Sequence, residues 1–231
     1  MIPARIRALT LDLDDTLWPV WPAIERAEGA LHGWLLRHAP ATAACFDLAG
    51  LRALRDQVSR ERPEWSHDLS ALRRESVRMA LAAASEDESL AEAAFEVFFA
   101  ERHRVDFYPD VLEALQRLSS AYPLLALSNG NAELARVGLA PWFRGSLSAR
   151  EFGVGKPDRR IFAEACRRLG FAPDEVLHVG DDLELDVRGA HDAGLQVVWV
   201  CRGDRREGQG AGIDGVVSVC DLHALAEKLG C

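Results

Sequence analysis

The sequence predicts an α/β protein: a doubly wound parallel sheet interrupted after its first strand by an all-helical segment. Three observations carry this. Apolar runs of strand length recur at residues 8–11, 122–127, 176–179 and 196–200, with a weaker one at 216–219, and helix-spaced stretches separate most of them. Residues 18–105 are rich in Ala, Leu, Arg and Glu and contain no strand candidate of conviction. Three of the runs end in short polar clusters, where open α/β sheets bind their ligands.

The elements follow in order. Ala8-Leu9-Thr10-Leu11 reads as a buried strand and runs into Asp12-Leu13-Asp14-Asp15-Thr16. Helical spacing then covers 23–39, 48–60, 69–84 and 89–104, punctuated by Pro40 and Pro63. A further helix is expected at 111–118. The run at 122–127 ends at Ser128-Asn129-Gly130, and Asp158 is the expected N-cap of a helix over 159–169. Val176-Leu177-His178-Val179 is a strand ending at Gly180-Asp181-Asp182. Residues 203–212 are polar and Gly-rich and read as a loop. The expected domains are a catalytic core of residues 1–17 and 106–231 and a helical cap of residues 18–105.

Composition narrows the class. Hydrophobic residues make up 48% and charged residues 27%, the profile of a soluble globular protein. A net charge of −9 with a pI near 5.3 argues against nucleic-acid binding, which needs a basic face. The five cysteines are scattered without a CxxC pair, so neither zinc nor a disulfide framework is expected. No signal-peptide core and no apolar run near 18 residues is present, and the reading is a cytoplasmic protein with no membrane partner, a monomer or homodimer. Only two lysines, Lys156 and Lys228, stand among the basic residues, which makes each conspicuous.

Chemistry concentrates at the strand ends. Asp12 and Asp14 are two apart and point the same way in an extended chain. Two carboxylates about 5 Å apart repel by roughly 3 kcal/mol at an effective dielectric near 20, so a fold keeps such a cluster for a cation or a reaction. Ser128-Asn129, Gly155-Lys156-Pro157 and Gly180-Asp181-Asp182-x-x-x-Asp186 complete the set.

These four segments, in this order and at these separations, resemble the four motifs of the haloacid dehalogenase superfamily over essentially the whole chain. The resemblance implies a Rossmann-like core with the helical block as its inserted cap. It makes Asp12 the nucleophile that forms an aspartyl phosphate and Asp14 the general acid/base. Ser128, with Asn129 beside it, would hold the phosphoryl oxygens, and Lys156 would face Asp12 and the phosphoryl group. Asp181 would bind Mg²⁺ together with Asp12 and the backbone carbonyl of Asp14, with Asp186 either a direct ligand or one layer out. Asp15 reads as a turn residue where the family usually has Gly. His178, inside a strand, reads as a packed core histidine.

The second acid separates members of the family: halide needs no protonation, whereas an ester oxygen does. Asp14, and a cap without lysine, therefore favour phosphate-ester hydrolysis. The expected activity is Mg²⁺-dependent hydrolysis of a small phosphomonoester. A phosphomutase, a phospho-receiver module and a catalytically dead binding protein are the alternatives, and the long helical insertion counts against a receiver. The stretches 11–17, 72–76, 128–132 and 177–182 are together similar to capped bacterial phosphatases acting on FMN and 5-amino-6-(5-phospho-D-ribitylamino)uracil. A flat substrate ring is expected near Trp18 or Trp21, with Arg73 or Arg74 reaching a polar group. Hinge packing for the tryptophans and a solvated helix face for the arginines are the plainer readings.

Overall fold

In the computed structural model, residues 5–202 and 216–231 are described. Residues 203–212, read from sequence as a loop, lie outside them. The chain divides into two compact units, Met1–Pro19 with Asp106–Cys231, and Val20–Val105.

The first unit is built on one sheet of six parallel strands: β1 (Ala8–Leu11), β2 (Leu124–Ser128), β3 (Gly145–Ser148), β4 (Val176–Gly180), β5 (Gln196–Val200) and β6 (Val217–Val219). Their order is β3-β2-β1-β4-β5-β6. The chain winds outward from β1 in one direction and then in the other, so the doubly wound sheet that the strand–helix alternation predicts is what forms. β1 lies between β2 and β4, at the point where the winding reverses, and its carboxyl end opens on the crevice where such sheets bind ligands. β1, β2 and β4 are buried throughout, and they read as near-continuous apolar runs because both faces are covered.

One face packs on the helix over Arg159–Leu169. Its Ile161, Phe162, Ala165 and Leu169 form a single cluster with Ala8, Leu125, Leu127, Val176, Val197 and Trp199 of the sheet. Asp158 starts this helix by accepting a hydrogen bond from the Arg160 amide, the N-cap role read from sequence. β3 escaped sequence reading. Of Gly-Ser-Leu-Ser only Leu147 is apolar and buried, so no periodicity marks it. β2 begins two residues later than the apolar run and ends one residue later, so Ser128 is the last residue of the strand rather than the first of the turn.

The second unit is helical at Val20–His38, Pro40–Cys45, Leu48–Glu61, Leu69–Ala83 and Leu90–Arg102. Asp47 and Asp68 cap the third and fourth of these through the amides of Gly50 and Ala71. Its core is Leu31, Leu35, Val77, Leu81, Phe95, Phe98 and Phe99 among others, closed on themselves. The short helix at Pro40–Cys45 was missed, because Pro40 reads as a breaker when it in fact opens a helix, where its missing N–H is no loss.

Phe162 is fully buried at the centre of the first core. Phe162→Ala is expected to lower unfolding free energy by about 3–5 kcal/mol, read as a lower urea midpoint with little change in slope.

Candidate active site

The site starts where β1 ends. Asp12 donates its backbone N–H to the Val179 carbonyl, which extends the β1–β4 pairing and leaves its side chain at the rim of the sheet. Leu13 then turns the chain. Asp15 has φ 57°, the left-handed region where Asp is one of the few tolerated side chains, and this is why a turn residue stands there. Asp14 is oriented by Trp18, whose indole Nε1 donates to Asp14 Oδ1 at 2.9 Å.

Lys156 is the centre of the arrangement. Its side chain is 2% exposed, and its Nζ donates to Asp12 Oδ1 at 2.6 Å and to Asp186 Oδ1 at 2.5 Å. The backbone of Lys156 is clamped by one side chain: Asn129 Oδ1 accepts from the Lys156 amide at 2.7 Å, and Asn129 Nδ2 donates to the Lys156 carbonyl at 2.8 Å. Asn129 keeps its second Nδ2 hydrogen to donate. Ser128 Oγ accepts from the Gly130 amide at 2.9 Å and keeps its own proton to donate.

Asp186 sits on a π-helical turn, Leu183–Arg188, that Asp182 caps through the amides of Glu184 and Leu185. Gly180 makes room for it: a Cβ there would lie 2.3 Å from Asp186 Cγ, so the carboxylate occupies the space of the missing side chain. Asp186 Oδ2 accepts from the Asp182 amide at 3.1 Å, and Oδ1 contacts His178 Nε2 at 3.0 Å as well as Lys156. Asp181 accepts at Oδ1 from Thr16 Oγ1 at 2.8 Å, and its carbonyl accepts from Trp199 Nε1 at 2.9 Å. Arg202 in turn donates to the Thr16 carbonyl and pairs with Asp110 at 2.7 Å.

Charge explains the tensions. Burial alone would push Lys156 down, but Asp12 and Asp186 more than offset it and hold the ammonium above the usual lysine range. Burial would likewise raise Asp186, yet Lys156 and His178 keep it ionised, below the usual carboxylate range. Asp12 has fewer donors and is raised, by burial first and then by Asp186 and Asp181 against the pull of Lys156. Burial pushes Asp181 up to about 6, with Asp186 and Asp15 adding to it and the Thr16 bond opposing. His178 is pushed down by burial, ahead of the opposing pull of Asp186, and is neutral.

Asp12, Asp181 and Asp186 each bring a ligand atom within 4.8 Å of the others. Hard carboxylate oxygens with an excess of negative charge over one ammonium suit Mg²⁺ or Ca²⁺ rather than a soft metal. Asp12 and Asp181 would hold such an ion. Asp186 has a single lone pair left after its three bonds, and it serves first as the anchor of Lys156.

A family model described as haloacid dehalogenase-like hydrolase matches residues 6–194. The chain belongs to this family. It is 36% identical over 200 residues to the 5-amino-6-(5-phospho-D-ribitylamino)uracil phosphatase YigB of Escherichia coli K12, covering 85% of this chain and 84% of that one. It is 34% identical to a phosphoserine phosphatase of Thermus thermophilus, covering 97% of this chain and all of that one. A solved structure described as a 2-haloacid dehalogenase from Pseudomonas syringae pv. Tomato superposes with a TM-score of 0.89 at 36% identity, covering 97% and 98% of the two chains. The protein is thus an enzyme, a haloacid dehalogenase-like hydrolase, and its sheet is that of the fold.

Within this hydrolase the residues expected to meet substrate fare differently. Trp18 is 0% exposed, edge-on to Phe107 and bonded to Asp14, so it orients an acid and offers no face to a ring. Arg73 is buried in the helical unit, bonded to Glu28 and lying over Phe98, which corrects its assignment to substrate. Arg74 pairs with Glu92 and lies over Phe95 and is likewise occupied. Trp21, by contrast, is 51% exposed with the Arg52 guanidinium 5.1 Å from its ring. Thr10, Thr16, Trp199, Arg202 and Asp110 were not singled out by function in the sequence. The usable signal was polarity inside otherwise apolar strands, present for Thr10 and His178 alone. Among the described residues no helix is long and apolar enough to cross a membrane.

Asp181, raised to about 6 in the fold against an ordinary value of 3.8, favours folding only while protonated. In EDTA, Asp181→Asn is therefore expected to match wild type near pH 3.5 and to exceed it increasingly from pH 4 to 7, by about 2–3 kcal/mol at the top, measured by urea unfolding at each pH.

Proposed function

We propose that the protein is a Mg²⁺-dependent phosphomonoester hydrolase working through an aspartyl phosphate on Asp12. The observation that supports it is the pairing of a nucleophile-ready carboxylate, held at one oxygen by buried Lys156, with a second acid two residues on that Trp18 keeps oriented. Asp12 attacks phosphorus, the P–O ester bond breaks, and Asp14 gives its proton to the departing oxygen. Water, deprotonated by Asp14, then attacks the same phosphorus and inorganic phosphate leaves. Ser128 and the amides around it donate to the phosphoryl oxygens, and Lys156 offsets their charge. A Mg²⁺ held by Asp12 and Asp181 would neutralise part of the charge that a phosphate near −2 brings to this acid cluster.

The 36% identity to a 2-haloacid dehalogenase structure supplies a second reading. In it Asp12 would displace halide from carbon, and Asp14 would have no proton to deliver. Release of chloride from 2-chloropropionate, with no phosphate release from p-nitrophenyl phosphate, would favour that reading.

For substrate we take FMN or 5-amino-6-(5-phospho-D-ribitylamino)uracil. The likeness to YigB supports this. A phosphoserine arm tests the other relative.

Asp12→Asn is expected to abolish phosphate release while the protein stays folded by circular dichroism. Asp14→Asn should cut kcat by about 10²–10⁴ on an alkyl phosphate and clearly less on p-nitrophenyl phosphate, whose leaving group needs little protonation. Turnover of metal-stripped protein in excess EDTA should vanish and return with Mg²⁺; persistence there would end the metal requirement. Ranked by kcat/KM in steady-state kinetics, FMN and 5-amino-6-(5-phospho-D-ribitylamino)uracil are expected to exceed phosphoserine.

A further inference from the structure

β1 and β4, which lead into the site's first and last acids, are apolar except at one level. Thr10 of β1 and His178 of β4 are register partners in the parallel ladder, and both are 0% exposed. Two polar groups buried side by side in the middle of a sheet are costly unless each finds a partner. Packing at that level would be served as well by two aliphatic residues. The imidazole is wedged by the edge of Phe162, with ring centroids 5.2 Å apart.

The bonding is directional. Thr10 Oγ1 and His178 Nδ1 are 2.8 Å apart, and His178 Nε2 lies 3.0 Å from Asp186 Oδ1. An ionised carboxylate only accepts, so Nε2 carries the proton and donates. In the neutral ring Nδ1 then accepts, and the Thr10 hydroxyl must be its donor. The chain of contacts runs Thr10 to His178 to Asp186, and Lys156 bridges the same Asp186 oxygen to Asp12. Asp186 comes from a π-helical turn and fills the space left by Gly180. Besides Lys156, His178 bonds one of its oxygens and the Asp182 amide the other.

We propose that His178, oriented by Thr10, is a positioning residue that aims Asp186 at Lys156 and thereby sets the Lys156–Asp12 contact. With an apolar group at 178, Asp186 Oδ1 loses the donor that fixes its direction, the ammonium shifts with it, and Asp12 Oδ1 loses a steady donor. This deepens the phosphatase reading and rests on it.

The test compares His178→Leu with His178→Gln, whose side-chain amide can stand in for the Nε2–H donor. On p-nitrophenyl phosphate with Mg²⁺, well below the melting temperature of each variant, Leu should lower kcat at least tenfold with KM within about twofold, and Gln should recover most of that loss. Equal kcat for the two variants, whether near wild type or both slow, would overturn the proposal in favour of plain packing. If the Leu variant does not fold, Thr10→Val against Thr10→Ser gives the same decision: Val slower than Ser supports it, and Val equal to Ser overturns it. A readout independent of turnover is the ¹⁵N spectrum of histidine-labelled protein, with His178 assigned through the Gln variant. An Nε2–H tautomer that Thr10→Val perturbs is expected, and an Nδ1–H tautomer overturns the proposal. Wild type that releases no phosphate yet shows the expected tautomer would sink the phosphatase reading and leave the aiming of Asp186 standing.

Discussion

One ammonium group organises the sheet end. Lys156 is buried between Asp12 and Asp186, and its positive charge favours the ionised form of both. Removing a charge from water is expensive, so a buried ion pair is weak evidence of stability but strong evidence of purpose when all three partners meet at the reversal point of a parallel sheet. The rest of the site reads as support for this triad. Asn129 clamps the lysine backbone, Gly180 gives Asp186 its space, and the Asp182 cap holds the turn that carries it.

The two acids beside Lys156 are not equivalent, and the difference matters for chemistry. Asp186 gathers an ammonium, an imidazole N–H and a backbone amide, so its negative charge is fully compensated. Asp12 shares only the ammonium and faces Asp181 across the cluster. The compensated acid is a fixture, and the under-compensated one is reactive and has room for a cation. Asp181 shows the same deficit, pushed up to about 6 with a single threonine hydroxyl on its carboxylate. A cation among these oxygens would relieve both, which gives the acid cluster a physical reason to exist.

Support reaches further than the motifs. Thr16 holds Asp181, Arg202 holds Thr16, and Asp110 holds Arg202 while also accepting from the Leu222 amide at 2.7 Å. Trp199 reaches Asp181 from β5 through its indole. Apart from Trp199 and Arg202, these residues come from different segments of the chain. Rigid placement of the acids is therefore a property of the whole sheet unit, and small displacements at any of these bonds would be felt where the phosphoryl group is expected to sit.

Much of this was legible in the sequence, for identifiable reasons. Strand–helix alternation, acids after an apolar run, and a single lysine flanked by Gly155 and Pro157 are local patterns, and local patterns survive in one dimension. They disclosed the parallel sheet, the all-helical segment, and Asp12, Asp14, Lys156 and Asp181 as residues worth naming. The sequence could not disclose β3, whose four residues hold one apolar side chain and pair only because β2 lies beside them. Nor could it tell which polar atoms were already taken. Arg73 and Trp18 look like ligand-binding groups until the folded chain shows them buried and bonded to Glu28 and Asp14. Which groups carry chemistry is written in residue type and spacing; which of them are free to act depends on partners that spacing does not announce, and only the folded chain brings those into contact.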